Sequence, residues 1–305
     1  MLQNQLLKGV FLVGLGASSY GMLATFVKMA YDEGYTTAEV TTSQFVLGII
    51  GMLLINTYQK SKNKGKVTKA TTRNVFQLML AGTSLGCTSL FYYLAVKTIP
   101  VSMGIVLLMQ TVWMGVVLEM ILTKKLPSLQ KTIATVVVLV GTALALNLFG
   151  KSIDFNQEGF VTGLLWGLCA ACSYTVTMFT SNKVATELST SQRSLYMLLG
   201  GAVIVFAFAM ATHTGEFHFD IFLKWGIVLS LFGTIIPPML LNAGFPITGI
   251  GLGSIVTSVE IPVSVMMAHL LLKEEVLGVQ WLGIAMIIMA IVIMNIKNKS
   301  NAGHI

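Results

Sequence analysis

The chain has 305 residues, of which 55% are hydrophobic and only 10% are charged, and its mean hydropathy is +0.81. A soluble domain carries about 25% charged residues, so the composition excludes a soluble globular protein and indicates one embedded in a lipid bilayer. The net charge of +7 does not imply a nucleic-acid partner, because the basic residues follow the loops between apolar segments, as membrane topology requires.

Ten apolar segments succeed one another, and each has about the 17–25 residues that a helix needs to cross about 30 Å of hydrocarbon. Membrane strands would be about half as long and would alternate in polarity, whereas a helix satisfies its own backbone groups in lipid. The sequence therefore predicts an all-α integral membrane protein with ten transmembrane helices. The segments are residues 9–28, 40–58, 75–96, 101–122, 132–149, 160–181, 194–212, 222–244, 250–272 and 278–296.

The first segment is predicted to remain in the protein as a helix. Residues 1–8 are a short leader, the apolar stretch has full length, and no convincing cleavage site follows it. Tyr20 flanks a polar stripe of Gly14, Ser18 and Thr25, which makes it a candidate for contact with a substrate.

The loop after the second segment is the most basic part of the chain. Residues 60–73 carry five lysines and one arginine, and 14 of the 19 Lys and Arg residues fall on the side that holds both termini. Positive residues favour the cytoplasmic side of a membrane. We therefore predict a multi-pass protein of the cell inner (plasma) membrane with both termini in the cytoplasm.

The third segment contains Gly82-Thr-Ser84-Leu-Gly86, which matches the G-x-S-x-G pattern of hydrolase nucleophiles. Together with His269, it leaves an intramembrane serine hydrolase as an alternative of a different class. The pattern needs a strand–turn–helix, however, and rhomboid-type intramembrane proteases place Gly directly after Ser, where this chain has Leu85. Close packing of helices through small residues explains the pattern better, so we expect no enzyme activity.

The third and fourth segments supply further candidates for a binding cavity. Tyr92 lies in the third segment, and Gln110 and Trp113 lie in the fourth. Aromatic side chains with a few polar groups are what a small-molecule cavity needs. Glu119, about one turn from the end of the fourth segment, is expected to form an interfacial pair with the nearby lysines, which are Lys124 and Lys125.

The second half of the chain repeats the first. With a shift of 154 residues, Ala17-x-Ser19-Tyr20 falls on Ala171-x-Ser173-Tyr174, and with a shift of 150, Gln110 falls on Glu260. Five segments are an odd number, so the second copy enters the bilayer from the opposite side, and inverted repeats are typical of transporters that alternate access around a central site. We place the two halves at residues 1–150 and 151–305.

One face of the sixth segment carries small, hydroxylated and aromatic side chains at helical spacing. Trp166 and Ser173 lie on this face and are candidates for the cavity. Cys169 and Cys172 have the spacing of a CxxC motif but would supply only two of the four ligands of a zinc site. We therefore predict neither a metal nor a cofactor.

Glu260 is the only acidic residue near the middle of a segment. A charge at the bilayer centre costs at least about 2.5–3.5 kcal/mol, so its side chain should face a cavity or a partner. Pro262 removes the N–H that would bond to the Ser258 carbonyl, which predicts a free carbonyl beside the carboxyl, and Pro237-Pro238 must distort the eighth segment. The functional hypothesis is a site for a substrate amine or a proton; the alternative is a hydrogen-bonded carboxyl that locks helices together.

Four motifs follow one another in the order and phase of the repeats. They are Ala17-Ser-Ser-Tyr-Gly with Lys28, Tyr93-x-Ala95-x-Lys97-x-Ile99-Pro100, Glu260-x-Pro262-Val263 running to Leu272-Lys273-Glu274-Glu275, and Gln280-x-x-Gly283. With these motifs, ten segments in two inverted repeats resemble the drug/metabolite transporter superfamily, specifically its EamA-like branch. Two positions depart from the family pattern: Gln44 stands where members often have Arg, and Ile261 separates a Glu and a Pro that are often adjacent. The resemblance implies solute transport through a central cavity, often export of amino acids or related metabolites.

The sequence therefore predicts a secondary transporter that exports small amphipathic metabolites such as amino acids by alternating access. The alternative is efflux of cationic lipophilic compounds, with Glu260 as their counter-charge. The expected partners are a small-molecule substrate and the lipid bilayer, while coupling to protons or another ion and the oligomeric state stay open. The candidate substrate-binding residues are Tyr20, Tyr92, Gln110, Trp113, Trp166, Ser173 and Glu260.

Overall fold

The computed structural model describes residues 2–62, 68–99, 101–148, 150, 159–213, 215–273 and 275–297, and every regular element in these ranges is helical. The predicted all-α fold is therefore confirmed. The ten spans, numbered in chain order, are α1 Leu2–Asp32, α2 Thr37–Lys62, α3 Thr72–Thr98, α4 Val101–Leu108 with Thr111–Thr123, α5 Leu129–Ala145, α6 Phe160–Lys183, α7 Thr190–Thr212, α8 Phe222–Thr248, α9 Ile250–Thr257 with Glu260–Leu272, and α10 Gly278–Lys297.

Eight of these spans are long and apolar enough to cross a membrane, and α5 and α10 are shorter apolar helices. The chain is therefore a multi-pass membrane protein. The predicted joint between the halves lies, apart from Gly150, outside the described residues, so the division into 1–150 and 151–305 stays a prediction. Pro100 and Glu274 of the quoted motifs also lie outside them.

The second helix of each half begins with the same local device. The backbone N–H of Thr36 donates to the Glu39 carboxylate at 2.8 Å, and the N–H of Glu39 donates to the Thr36 hydroxyl at 3.3 Å. Ser189 and Gln192 form the same reciprocal pair at the start of α7. Such a capping box satisfies two backbone donors that a helix start leaves free, so the sequence itself sets where α2 and α7 begin.

The fourth helix of each half is broken at matching positions. α4 breaks between Leu108 and Thr111, and α9 breaks between Thr257 and Glu260. At both breaks, backbone N–H groups donate to the carbonyl of the third residue before them, as in a 3₁₀ turn. In α4 the N–H of Gln110 donates to the Leu107 carbonyl at 3.0 Å, and in α9 the N–H of Ser258 donates to the Ile255 carbonyl at 3.2 Å. The two broken helices match with a shift of 149 residues, which also pairs the left-handed Lys124 with Lys273 and places Thr111 opposite Glu260. The predicted equivalence of Gln110 and Glu260 is therefore one residue out of register.

The predicted free carbonyl beside Glu260 is absent. The N–H of Ile261 donates to the Ser258 carbonyl at 3.1 Å, so a bond to the third residue replaces the one that Pro262 removes. The prediction failed because the tighter turn at the break pairs the carbonyl with an earlier donor.

The predicted distortion of α8 is present. Two π-helical turns, Phe222–Gly226 and Leu231–Ile235, lie in this span, and the second ends just before Pro237. Such turns take up the mismatch where a helix loses its regular bonding pattern. The Phe232 carbonyl in the second turn accepts a hydrogen bond from the Ser19 hydroxyl of α1 at 3.2 Å.

A buried arginine joins α7 to α6 and α8. Pro246 lacks the N–H that would bond to the Asn242 carbonyl four residues earlier, and Arg193 Nη1 donates to that carbonyl at 2.7 Å. The same guanidinium donates to the carbonyls of Ser181 at 2.6 Å and Val184 at 3.1 Å, at the end of α6. Its charge therefore lies at a helix C-terminus, where a cation is stabilised.

The two halves pack against one another more than within themselves. α3 packs most extensively against α6 and α7, and α1 against α8 and α9. α5 and α10 run antiparallel and exchange equivalent hydrogen bonds: Gln130 donates to the Ile293 carbonyl at 3.1 Å and Gln280 to the Ala145 carbonyl at 3.0 Å. This reciprocity is what a pseudo-twofold axis between inverted repeats requires.

Candidate functional site

A central cavity of about 60 Å³ lies between helices of both halves. Its wall is built from α1, α3 and α4 of the first half and α6 and α9 of the second. A cavity of this size holds a few water molecules or one small polar group. The lining residues are Tyr20, Leu23, Ala24, Val27, Leu85, Thr88, Ser89, Tyr92, Tyr93, Leu108, Tyr174 and Glu260.

The break in α9 positions the carboxyl group of the cavity. Glu260 is the first residue after the break, its side chain is 7% exposed, and its Oε2 atom has no hydrogen-bond partner in the described protein. α1 approaches it closely through Gly21, because a Cβ atom added there would lie 2.5 Å from the Glu260 carbonyl oxygen. A glycine at this point of α1 lets α1 lie directly against the backbone of Glu260.

Tyrosine rings surround the carboxyl. Tyr20 and Tyr174 meet edge to face with ring centroids 6.0 Å apart, and Tyr92 and Tyr93 are also 6.0 Å apart. The hydroxyls of Tyr92 and Tyr174 are buried and find no partner among the described residues, whereas the Tyr93 hydroxyl donates to Gln44 Oε1 at 3.0 Å. Two phenol groups and one carboxyl oxygen of the cavity therefore keep free hydrogen-bonding capacity.

The cavity carries one kind of charge. Among the described residues, its lining contains Glu260 but no Lys, Arg or His. Tyr20, Tyr92 and Tyr174 line the same cavity as Glu260, and no cation of the described lining opposes its carboxylate. A charge in a poorly solvated site needs a partner, and a proton or a cationic group has the chemistry to supply one at this carboxyl.

A cluster of apolar side chains continues from the cavity toward the α7–α8 loop. Leu23 and Val27 of the lining belong to the same cluster as the buried Ile221 of that loop. Asp220 beside it accepts a hydrogen bond from the Tyr35 hydroxyl at 2.7 Å. This bond, with the help of a nearby lysine, holds the pKa of the exposed Asp220 carboxyl below its usual range, so the loop is held over the α1–α2 turn by a charged contact.

Three of the seven predicted site residues meet in this cavity: Tyr20, Tyr92 and Glu260. The structure places the other four outside its lining, and their role in binding stays a prediction. Those four are Gln110, Trp113, Trp166 and Ser173.

The side chains of Gln110 and Trp113 form a hydrogen bond with each other outside the cavity lining. The Gln110 amide donates to the Val106 carbonyl at 3.0 Å and accepts from the Trp113 indole N–H at 2.9 Å. The Trp113 side chain is 38% exposed. The fourth helix thus turns this pair outward, although its break matches the break that turns Glu260 inward.

Trp166 and Ser173 join α6 to α3. The Trp166 ring stacks on Phe91 with centroids 5.2 Å apart, and the Ser173 hydroxyl donates to the Ser84 carbonyl at 2.8 Å. Both contacts hold α3 and α6 together beside the cavity. The Trp166 and Ser173 side chains therefore contact α3 and do not line the cavity.

Tyr174 is the lining residue that sequence reasoning should have found. The alignment of the halves places it on Tyr20, itself a predicted site residue, and this repeat relation is the signal in the sequence that identifies it. Since the repeats are related by a pseudo-twofold axis near the cavity, a residue on that axis meets its own equivalent. The edge-to-face contact between the Tyr20 and Tyr174 rings is a contact of this kind.

Ser84 lies inside the continuous helix Thr72–Thr98 and not at a strand–turn–helix. Its hydroxyl shares a 2.8 Å hydrogen bond with the Thr177 hydroxyl, so it packs α3 on α6. Gly82 and Gly86 of the same pattern lie directly against the backbone of α7. The pattern is therefore explained by helix packing, and the geometry of a nucleophile elbow is not present here.

Glu119 pairs with a different lysine from those expected. Its carboxylate contacts Lys131 Nζ of α5 at 2.5 Å, and the described structure gives it no pair with Lys124 or Lys125. Lys124 has a left-handed backbone that ends α4, so the chain turns back and brings α5 within reach. Among the described residues, no group of three or more His, Cys, Asp or Glu could hold a metal ion.

Comparison with known proteins gives one family and one fold. The profile of the EamA-like transporter family matches residues 7–147 and again residues 161–296. Among solved structures, 27 chains match; one of them, described only as the crystal structure of a protein, has a TM-score of 0.76 at 14% identity over 96% of this chain and 98% of its own. At that identity the likeness shows a shared fold alone. No curated protein matches.

Proposed function

The chain belongs to the EamA-like transporter family, and we propose that it is a secondary carrier that exports small amphipathic metabolites, such as amino acids, by alternating access. In this proposal it lies in the cell inner (plasma) membrane with both termini in the cytoplasm. The observation that carries it is the Glu260 carboxyl, buried in a cavity between the halves with one oxygen unpartnered. Ionisable groups at this depth of a membrane protein mark substrate or ion pathways.

The cavity has the composition that a small amphipathic solute requires. Leu23, Val27 and Leu85 offer apolar contact, while the tyrosine hydroxyls and the carboxyl of Glu260 offer polar contact. Its position between the two halves is where inverted repeats place a transport site, since relative motion of the halves can open it to either side. The small volume of the cavity is consistent with a conformation closed around the site, in which the cavity must widen when a solute enters.

Efflux of cationic lipophilic compounds is the second candidate, because a specific observation favours it. The lining supplies a carboxyl and no cation in the described chain, so a cationic solute is matched in charge. An amino acid would bring a carboxylate as well, which this lining leaves without a counter-charge.

Glu260→Gln tests the proposal, because it keeps the shape and hydrogen bonding of the side chain but cannot ionise. Wild-type protein in liposomes should move a small solute, accumulate it when a proton gradient is imposed, and slow as protons compete for the carboxyl. If Glu260 binds the solute, the variant should lose affinity and its proton competition. If Glu260 couples protons, gradient-driven accumulation should stop while exchange of solute persists.

Glu216→Gln is the matched control, since Glu216 is exposed in the α7–α8 loop outside the lining. It should behave like wild type in every flux measurement. Identical fluxes and pH profiles for wild type and Glu260→Gln would remove Glu260 from the mechanism. Absence of flux for every solute class tested, with folded protein, would refute the carrier itself.

A further inference from the structure

Three unpartnered polar atoms of the described chain line one cavity. Seven buried side-chain nitrogen or oxygen atoms in the described chain lack a hydrogen-bond partner in the protein. Three of the seven belong to the cavity lining: the hydroxyls of Tyr92 and Tyr174 and Oε2 of Glu260. Buried polar groups are normally paired, so three together indicate a ligand group that pairs with all of them.

We infer that these three atoms form a subsite for a primary or secondary ammonium group with no carboxylate beside it. The inference rests on the proposed function, because it assigns the substrate class of the same cavity, and it replaces the amino acids named there by amines. It separates amines from two neighbouring classes, namely amino acids and quaternary ammonium compounds.

Hydrogen-bonding capacity favours an ammonium group with N–H donors. A primary ammonium presents three donors and no acceptor, and a carboxylate oxygen and two phenol oxygens can accept them. Hydrogen bonds between ionised groups are roughly twice as strong as neutral ones. A trimethylammonium group has no N–H and would leave the three oxygen atoms unpaired.

The rings around the subsite favour the same charge. Tyr20 and Tyr174 meet edge to face beside the carboxyl, and Tyr93 stands next to Tyr92. The face of an aromatic ring attracts a cation within about 6 Å, more strongly when the cation is desolvated. Tyr174 is 3% exposed and Glu260 is 7% exposed, so an ammonium held between them is largely withdrawn from water.

The charge of the lining disfavours an amino acid. The α-carboxylate of an amino acid lies next to its ammonium, so it would come close to the Glu260 carboxylate. No Lys, Arg or His stands in the lining of the described chain to compensate it. Like charges at short distance in a poorly solvated site repel strongly, and the zwitterion should therefore bind more weakly than the amine.

Three ligands that share one carbon chain test the inference on the purified full-length protein in detergent by titration calorimetry. Butylamine carries an ammonium alone, norvaline adds the α-carboxylate, and butyltrimethylammonium removes the N–H donors. Butylamine should bind at least about tenfold more tightly than either of the others, since a hydrogen bond to a charged group contributes about 1.5–3 kcal/mol. Norvaline or butyltrimethylammonium binding as tightly as butylamine would overturn the inference, as would an absence of butylamine binding.

Phenylalanine substitutions then locate the site. Tyr92→Phe and Tyr174→Phe each remove one acceptor and should weaken butylamine by about tenfold while leaving butyltrimethylammonium unchanged. Tyr58→Phe is the matched control, because Tyr58 is 67% exposed on α2, away from the cavity. Wild-type affinity of both cavity variants for butylamine would also overturn the inference. If the variants do not fold, the comparison of the three ligands on the wild-type protein still tests the inference.

Flux measurements in liposomes separate this inference from the proposed function. Transport of norvaline that butylamine does not inhibit would overturn the amine subsite and retain the carrier. Binding of butylamine without flux of any solute would overturn the carrier and retain the subsite.

Discussion

Replacing Gly21 with alanine adds a methyl group where α1 meets the segment that holds Glu260. The added Cβ atom would lie 2.5 Å from the Glu260 carbonyl oxygen and 3.0 Å from the Val263 Cβ atom. An ordinary contact is about 1 Å longer than the first distance, and the neighbour is backbone, which cannot rotate away. Overpacking of this kind costs about 1–3 kcal/mol.

Gly14→Ala provides the matched control on the same helix. Its added Cβ atom would lie 3.8 Å from the Val256 Cγ1 atom, which is an ordinary contact. Both variants gain about 0.5–1 kcal/mol from the helix preference of alanine over glycine, so the difference between them isolates the clash. We expect Gly21→Ala to be less stable than Gly14→Ala by about 1–3 kcal/mol.

Equilibrium unfolding in mixed micelles with increasing SDS, followed by tryptophan fluorescence, measures this difference. Gly21→Ala should also lose flux or ligand affinity, because the methyl group pushes α1 away from the carboxyl. Equal unfolding midpoints for the two variants, or a Gly21→Ala protein with wild-type flux, would refute the close approach on which the site is built.

Three further results are expected. Arg193→Met should cost at least about 2 kcal/mol, because it leaves the buried carbonyls of Ser181 and Asn242 unpaired at about 1–3 kcal/mol each. Arg73→Met at the exposed start of α3 should cost almost nothing, and similar unfolding midpoints for the two variants would contradict this. Ser84→Ala should keep transport, and the wild-type protein should not react with a serine-directed fluorophosphonate, since this hydroxyl only joins helices; covalent labelling at Ser84 would support the hydrolase instead. In a cysteine-free background, a cysteine at position 216 should react with an impermeant maleimide on intact cells and one at position 60 should not, and the reverse result would overturn the proposed orientation.

The spans and the deep carboxyl could be predicted from the sequence because a bilayer imposes simple constraints. Length and apolarity fix a membrane helix, and a charge such as Glu260 is tolerated only where it faces protein or water. Pro237 likewise has one physical consequence in the interior of a membrane span, where it removes a backbone hydrogen bond, and the distortion of α8 follows from it.

The direction of individual side chains could not be predicted in the same way. Lipid tails are as apolar as a protein core, so a residue such as Trp113 carries no signal of which side it faces. Gln110 lies outside the lining for a related reason, because its amide bonds to the Val106 carbonyl on its own helix, whereas the charged carboxyl of Glu260 cannot be satisfied in this way. Glu119 found Lys131 through a turn whose left-handed residue no periodicity reveals.

The interlocking of the two halves has a consequence for how the protein is made. α1 finds its main neighbours in α8 and α9, α3 finds them in α6 and α7, and the carboxylate of Glu39 accepts a bond from the backbone of His218 at 2.8 Å, 179 positions later in the chain. At synthesis rates of about 5–20 residues per second, the first five helices wait in the bilayer for roughly 8–30 s before their partners emerge. During that interval their small-residue faces and polar side chains stand open to lipid, to chaperones and to membrane proteases, so mutations such as Gly82→Val should be cleared during biogenesis before any mature carrier forms.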